Sequence, residues 1–538
     1  MCSCALKNVM AGRFEFWKPL VELSSAETGV MKLCKRVQKL FGFLRLHRDD
    51  LFSEEFQLEL ETMYRGGGHP PVPPAMMAMA TLLQGYEGAS DSKTVVLSGA
   101  DARWRMVLGL GFESTEPAFS QGALCDFRHR LIRTGMDRRL LERTIELARE
   151  TKAFDPKHLR KKLRIAADSS PLHGAGRVED TINLLGHAAR KVVQCIVALS
   201  DLEFGEVCEA AGTPLLLESS IKKGLDCEWD DPKQKSNALK KLIVQLDSLR
   251  SWIGQNLPAE LAKVPLKDAL ETLQQITCQD LEPDPDDPSG GARIRRGVAV
   301  DRRPSVEDSE MRHGRKSKSK KFNGFKRHIA LDLDTTLIIA CEVMPANRAE
   351  ADACKVLNDD IERQGFVIDS LSIDRGYISS GLVGTVLSRG GTVLCKPWVA
   401  KNSHGLFTKS KFRLNMRSMS ITCPAGAVQP ARPGTIAKFD AATCDSCGLK
   451  PQCTTSSNGR TVRIAHDEKL QQSLRKASKT RRGRERLRER IPVEHSLAHI
   501  SQRQGNRARY RGTQSNRFDL RRAATIQNLE ITQRHLAA

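Results

Sequence analysis

Two acids close short apolar runs in this chain: Asp168 in Leu163–Asp168 (LRIAAD) and Asp374 in Ile368–Asp374 (IDSLSID). Strand ends are where α/β folds place reactive groups. Carboxylates brought together from neighbouring strands offer hard oxygen ligands suited to Mg²⁺ or Mn²⁺. Two such ions can clamp the attacking and leaving oxygens of a phosphoryl transfer. For any single Asp the plainer reading is a turn former or helix cap. Asp180, Asp332, Asp334 and Asp369 are competing acids with no other feature in their support.

A third acid comes from a helix. Arg490–Gln504 (RIPVEHSLAHISQRQ) reads as a helix with Pro492 in its first turn and Val493, Leu497 and Ile500 along one face. Glu494 lies about 100° around from Val493, at the border of that apolar stripe. His495 and His499 form an i, i+4 pair, but Glu494 precedes the pair instead of lying inside it, unlike a metalloprotease helix. Four cysteines, Cys423, Cys444, Cys447 and Cys453, fall within about thirty residues and include one Cys-x2-Cys. They suit a structural tetrahedral zinc. The alternative is a reduced, partly buried thiol cluster.

Basic runs bracket the acids. Arg312–His328 holds eight Lys or Arg and no acid; Arg475–Arg522 holds 16 against four acids. A solvated face is the ordinary reading of one such run, while two flanking a set of acids point to phosphate. The candidate DNA contacts are Arg315, Lys316, Lys318, Lys320, Lys321, Lys326, Arg375 and Arg490. Trp398, after Lys396-Pro397, could stack on an unpaired base or sit in the core.

The elements that must position these groups alternate. Residues 1–155 read as a helical N-terminal domain that could bind DNA ends, although packing alone explains its pattern equally well. Within it Pro74–Tyr86 and Gln121–Glu150 are helical, the latter broken at Gly135. Residues 156–538 read as a catalytic α/β domain. Its order is a strand at Leu163–Asp168, a long insertion, a hairpin (Gly324–Leu333, Leu337–Met344), a helix (Ala349–Gln364, ended by Gly365), the Asp374 strand, a helix, and a strand at Gly391–Lys396. One insertion, 181–320, is helical over 181–280 and an exposed Pro-, Gly- and charge-rich loop over 281–312. The other, 398–480, carries the cysteines.

The 538 residues suffice for two or three domains, with 40% hydrophobic and 28% charged residues. A net charge of +21 implies an anionic partner: nucleic acid first, a ribosome or membrane surface otherwise. Residues 1–20 show no apolar signal run, and nothing approaches 18 consecutive apolar residues, so a cytoplasmic location is expected and most of the 15 Cys should be reduced.

Several blocks resemble the bacterial insertion-sequence DDE transposases. They are Asp168–Lys191, Arg312–His328, Pro345–Glu350 (PANRAE), Ile373–Tyr377 (IDRGY), Pro492–His499 (PVEHSLAH) and Arg507–Gly512 (RARYRG). Their order and spacing agree over roughly residues 40–535. The resemblance implies an RNase H-like mixed sheet with flanking helices, and a triad of Asp168, Asp374 and Glu494 holding Mg²⁺ or Mn²⁺. It implies cleavage and strand transfer on double-stranded DNA, both element ends and target, by a homodimer associated with the nucleoid. In many relatives the third acid belongs to a Tyr-x2-Arg-x3-Glu-x6-Lys signature. Arg490 and Glu494 keep its spacing, with Leu487 and Ser501 at the Tyr and Lys positions. Tyr377, three residues after Asp374, also recurs in relatives. Similar cysteine sets occur in the insertion ahead of the Glu helix.

Overall fold

A computed structural model describes residues 15–34, 38–64, 72–286, 291–317, 319–399 and 405–537. Lys318 and the segment 1–14, read above for a targeting signal, lie outside the described residues.

The N-terminal part is a helical bundle around Phe41, Phe52, Phe56, Trp104, Phe127 and Leu131. The helix Pro74–Glu87 opens on a proline and buries Met77, Met79, Leu82 and Leu83. The pattern over 121–150 resolves into Gln121–Thr134 and Met136–Glu150, separated by Gly135 in the left-handed region.

The second part is a mixed six-stranded sheet. The strand Lys162–His173 lies at its centre. On one side Val367–Ser372 and then Thr392–Leu394 run parallel to it. On the other Lys321–Asp332 runs antiparallel, and its far edge pairs with both Ile338–Pro345 and the short strand Arg312–Arg315. Apolar positions on the two faces give two cores, one around Ile165, Leu371 and Ile373, the other around Ala166, Ile329 and Leu331. The C-terminal helix Thr513–Leu536 is buried over most of its length between bundle and sheet. Phe518, Ile526 and Leu529 pack into the bundle core, Leu520 and Ala524 into the sheet core. Gly85 is where this helix comes closest to Pro74–Glu87: a Cβ there would lie 2.9 Å from Arg522 and Ile526.

Three sequence readings change. The first strand does not stop at Asp168 but continues to His173, because its antiparallel partner pairs with it as far as His173↔Gly324. The parallel partner does end early, at Ala166↔Ser372. Among the described residues, the span 281–312 is only partly an exposed loop. It forms a small strand pair, Leu281–Pro283 with Ala292–Ile294, and then buries Arg303, Ser305, Asp308 and Met311. The Arg303 guanidinium is tolerated there because it donates to Ser305 O (2.7 Å) and Thr272 Oγ1 (3.1 Å). An edge strand, Arg312–Arg315, is present where only a basic lead-in was read.

The helical insertion forms as expected, from Thr181–Val197 to Val264–Asp280, with its own core of Leu184, Leu185, Leu242, Leu249 and Leu273. The cysteine-bearing insertion has small sheets around Phe412, Ile421, Phe439 and Val462. Among the described residues, no helix is long and apolar enough to cross a membrane.

Candidate active site

The three acids predicted from sequence line one cleft of about 500 Å³. Asp168 comes from the central strand, just past the point where its parallel neighbour ends. Asp374 follows that neighbour by two residues and opens a tight turn, with Tyr377 N–H donating to Asp374 O at 3.1 Å. Glu494 sits in the first turn of the helix Ile491–Gln504, which buries Val493, Leu497 and Ile500 against the sheet and leaves the Glu494 side chain 54% exposed.

Arg490 joins these acids. Its guanidinium donates to Glu494 Oε1 at 2.7 Å and lies 3.3 Å from Asp168 Oδ2. Burial alone would lower the Arg490 pKa; the carboxylates of Asp168, Asp374 and Glu494 override this and raise it. Asp168 is pushed up to about 6, chiefly by burial, with Asp374 and Glu350 adding repulsion. Arg490 and the Ser169 N–H, which donates to Asp168 Oδ1 at 2.8 Å, offset part of the rise. With Arg490 among them the acids are spread. No group of three or more acidic, His or Cys side chains among the described residues is close enough to hold a metal ion as it stands.

The competing acids have other tasks. Asp180 caps the helix Thr181–Val197. Asp332 accepts from Thr335 in the hairpin turn. Asp334 pairs with Arg164 at 2.8 Å and Asp369 with Lys162 at 3.4 Å.

Sequence reasoning missed a fourth acid in the cleft. Glu350, the last residue of the PANRAE block, accepts from Ser169 Oγ at 2.8 Å, next to Asp168. Its other oxygen presses on the turn after Asp374: a Cβ on Gly376 would lie 1.7 Å from Glu350 Oε2, so the IDRGY glycine makes room for this carboxylate. Glu350 thus touches the elements bearing both aspartates. Beneath it Tyr377 is fully buried, and its hydroxyl meets His328 Nδ1 at 2.8 Å. Burial pushes the His328 pKa down to about 3, so this ring is neutral.

Of the candidate DNA contacts, Arg315, Lys316 and Lys326 line the cleft. Lys320 and Lys321 are exposed on the same ribbon but outside the lining. Arg375 lies against Trp398, with its guanidinium 5.7 Å from a ring centroid, and Arg490 is engaged with the acids. Trp398 is no core residue; it is 52% exposed. His495 and His499 are both exposed.

Away from the cleft, Cys423, Cys444, Cys447 and Cys453 line a single cavity of about 320 Å³. Cys447 N–H donates to Cys444 O at 3.2 Å and Cys423 N–H to Ala427 O at 2.8 Å, so short turns present these thiols. The chain therefore brings the four together without closing them into a ligand cluster.

The family model of the transposase DDE domain matches residues 293–529. A second transposase domain model matches residues 39–130, in the helical bundle. Asp374, Glu494 and Glu350 fall inside the first match; Asp168 precedes it, on the far side of the helical insertion. No curated protein and no solved structure matches the chain.

Proposed function

We propose that this chain, whose residues 293–529 match the transposase DDE domain and whose residues 39–130 match a second transposase domain, is an insertion-sequence DDE transposase that cuts DNA at element ends and joins the ends to a target. The observation that carries this is the cleft itself, which Asp168, Asp374 and Glu494 line together with Arg315, Lys316 and Lys326. Hard carboxylate oxygens suit Mg²⁺ or Mn²⁺, and the Arg490 guanidinium already seated between two of the acids marks where positive charge is needed. Asp168, Asp374 and Glu494 would hold the ions. Bound there, divalent cations supply charge neutralisation at a phosphodiester and lower the pKa of an attacking oxygen.

The chain's own residues do the rest. Glu350 and Ser169 fix the segments carrying the two aspartates. Arg315, Lys316 and Lys326 draw the DNA backbone in without reading sequence. Arg490, once relieved of a carboxylate, is free for a phosphate oxygen. No protein nucleophile is required, because the chemistry is largely positioning and charge neutralisation: in cleavage water attacks the phosphorus and a DNA 3′-oxygen leaves as a hydroxyl, and in joining that 3′-hydroxyl attacks a target phosphodiester and displaces the target strand's 3′-oxygen.

The test is a metal-dependent assay on element-end DNA with a target plasmid. Cleavage in Mg²⁺, its loss in EDTA, and covalent joining to the target support the reading. Cutting without joining would indicate a nuclease or resolvase on the same fold. Binding without nicking would indicate a non-catalytic relative. Transposition needs two ends held together, so a homodimer acting on the nucleoid belongs to the proposal.

A structural zinc on Cys423, Cys444, Cys447 and Cys453 remains a proposal: the four line one cavity but do not form a ligand group as they stand. Four thiolates would leave it no open catalytic position. Elemental analysis should find about one zinc per chain, lost in Cys447→Ser; substoichiometric zinc unaffected by that change rejects the site.

A further inference from the structure

Arg327 lies in the basic run Arg312–His328, yet it is fully buried and so cannot contact DNA. Burial pulls its pKa down to about 10, with Asp519 acting from a distance in the opposite sense. Among the described residues it has no carboxylate hydrogen-bond partner. A buried guanidinium without a counterion is costly unless every N–H is satisfied. Here all five have acceptors. Nε donates to Ser170 Oγ (3.2 Å). Nη1 donates to Gln504 Oε1 (3.1 Å) and Gly505 O (2.9 Å). Nη2 donates to Pro171 O (3.0 Å) and Ser501 Oγ (2.8 Å).

The acceptors fall into two sets. Ser170 and Pro171 are two and three residues past Asp168 on the same strand. Ser501, Gln504 and Gly505 belong to the end of the Glu494 helix. That helix otherwise meets the sheet through Val493, Leu497 and Ile500, apolar contacts that hold it down without fixing its rotation or slide. A planar fork with five directed donors does fix them.

We propose that Arg327 is a positioning residue that sets the separation of Asp168 and Glu494, the two acids whose elements it joins. This rests on the active-site reading above. Metal-holding carboxylates must be placed within about 0.5 Å, and removing an outer partner of a ligand typically costs 10–100-fold in metal affinity.

Arg327→Lys keeps the charge and loses the fork. Mn²⁺ titration of the purified full chain, read by the electron paramagnetic resonance of free Mn²⁺, measures metal affinity without DNA or turnover. Arg327→Lys should remain folded by circular dichroism and weaken Mn²⁺ roughly tenfold or more. Because the effect passes through Glu494, Arg327→Lys combined with Glu494→Gln should bind Mn²⁺ no more weakly than Glu494→Gln alone. Ser501→Ala, which removes one acceptor and leaves the arginine, should act in the same direction with a smaller loss, and decides the matter if the lysine variant does not fold. Unchanged Mn²⁺ affinity, or losses that add in the double variant, would overturn the positioning role. A wild type whose Mn²⁺ binding does not depend on Glu494 would overturn the active-site reading instead.

Discussion

Replacing Asp168 by Asn should stabilise the EDTA-treated protein at pH 8 while abolishing cleavage. The carboxyl is pushed from its ordinary 3.8 to about 6, first by burial, then by Asp374 and Glu350. The folded chain therefore holds this proton more tightly than the unfolded chain. Stability is lost as pH rises from about 4 through 6, and the full loss persists above that. Two units at about 1.4 kcal/mol each give a loss of about 3 kcal/mol at pH 8, of which about half is already present at pH 5. Asn carries no ionisation penalty, and the shift already includes the attraction of Arg490, 3.3 Å away. The variant should thus exceed wild type by about 3 kcal/mol at pH 8, and the gap should widen by roughly 1.4 kcal/mol between pH 5 and pH 8. Urea unfolding in EDTA at the two pH values measures it. Added Mg²⁺ should then stabilise wild type and not the variant, by mass action on the folded state. A gap that does not change with pH, or an Asn variant less stable at pH 8, would refute the assignment of Asp168 as a strained, buried member of an acidic cluster.

Glu494→Gln should reduce cleavage in Mg²⁺ by several orders of magnitude with end binding intact. Glu489→Gln, which loses only a partly exposed pairing with Arg164, should cleave nearly normally; a fast Glu494→Gln enzyme would remove that residue from the triad. Replacing Arg315, Lys316 and Lys320 by Ala should weaken binding to all DNA sequences alike and lower the salt slope by roughly one unit per lost phosphate contact, whereas an unchanged slope in filter binding would place these cations in solvent. Glu350→Gln should slow cleavage about 10–100-fold in a folded protein. Gly376→Ala should do at least as much, since its Cβ would displace the Glu350 carboxylate; a Gly376→Ala enzyme with wild-type rate would show that Glu350 positions nothing.

What the sequence disclosed and what it hid differ by distance along the chain. The helix break at Gly135, the hairpin and the Asp374 strand follow local rules and appear where expected. The extent of the first strand does not, because Ser169, Ser170, Pro171 and His173 are polar or turn-like residues held extended by a partner more than 150 positions away. The burial of Arg303 was hidden for a similar reason: its acceptors include a hydroxyl on a helix thirty residues back. Glu350 falls at the start of the helix read over Ala349–Gln364, where an acid is an ordinary first-turn residue, and its task depends on Ser169 and Gly376 from two other segments. The one available signal was its block among those shared with the transposases. Arg327 did leave a trace. Phe325, Arg327, Ile329 and Leu331 occupy alternate positions of one strand, so a charge stands on an apolar face. Reading the segment as a run of charge concealed the alternation.

The charges of the cleft make sense only when its two halves are considered together. Four carboxylates line the cleft, and burial with repulsion from its neighbours pushes one of them, Asp168, up to about 6. Such a cluster is destabilising for the fold and is relieved in part by a single guanidinium. The cations that line the same cleft would repel one another in the same way. A lone acidic cluster would suit many cations, and a lone basic ribbon would suit any polyanion. A phosphodiester accompanied by divalent ions satisfies both at once, because the ions answer the acids and the phosphate backbone answers the lysines and arginines. This pairing of opposed demands within one cleft supports the proposed action of Asp168, Asp374 and Glu494 on DNA better than the overall charge of the chain does, which a ribosome or a membrane surface would serve equally well.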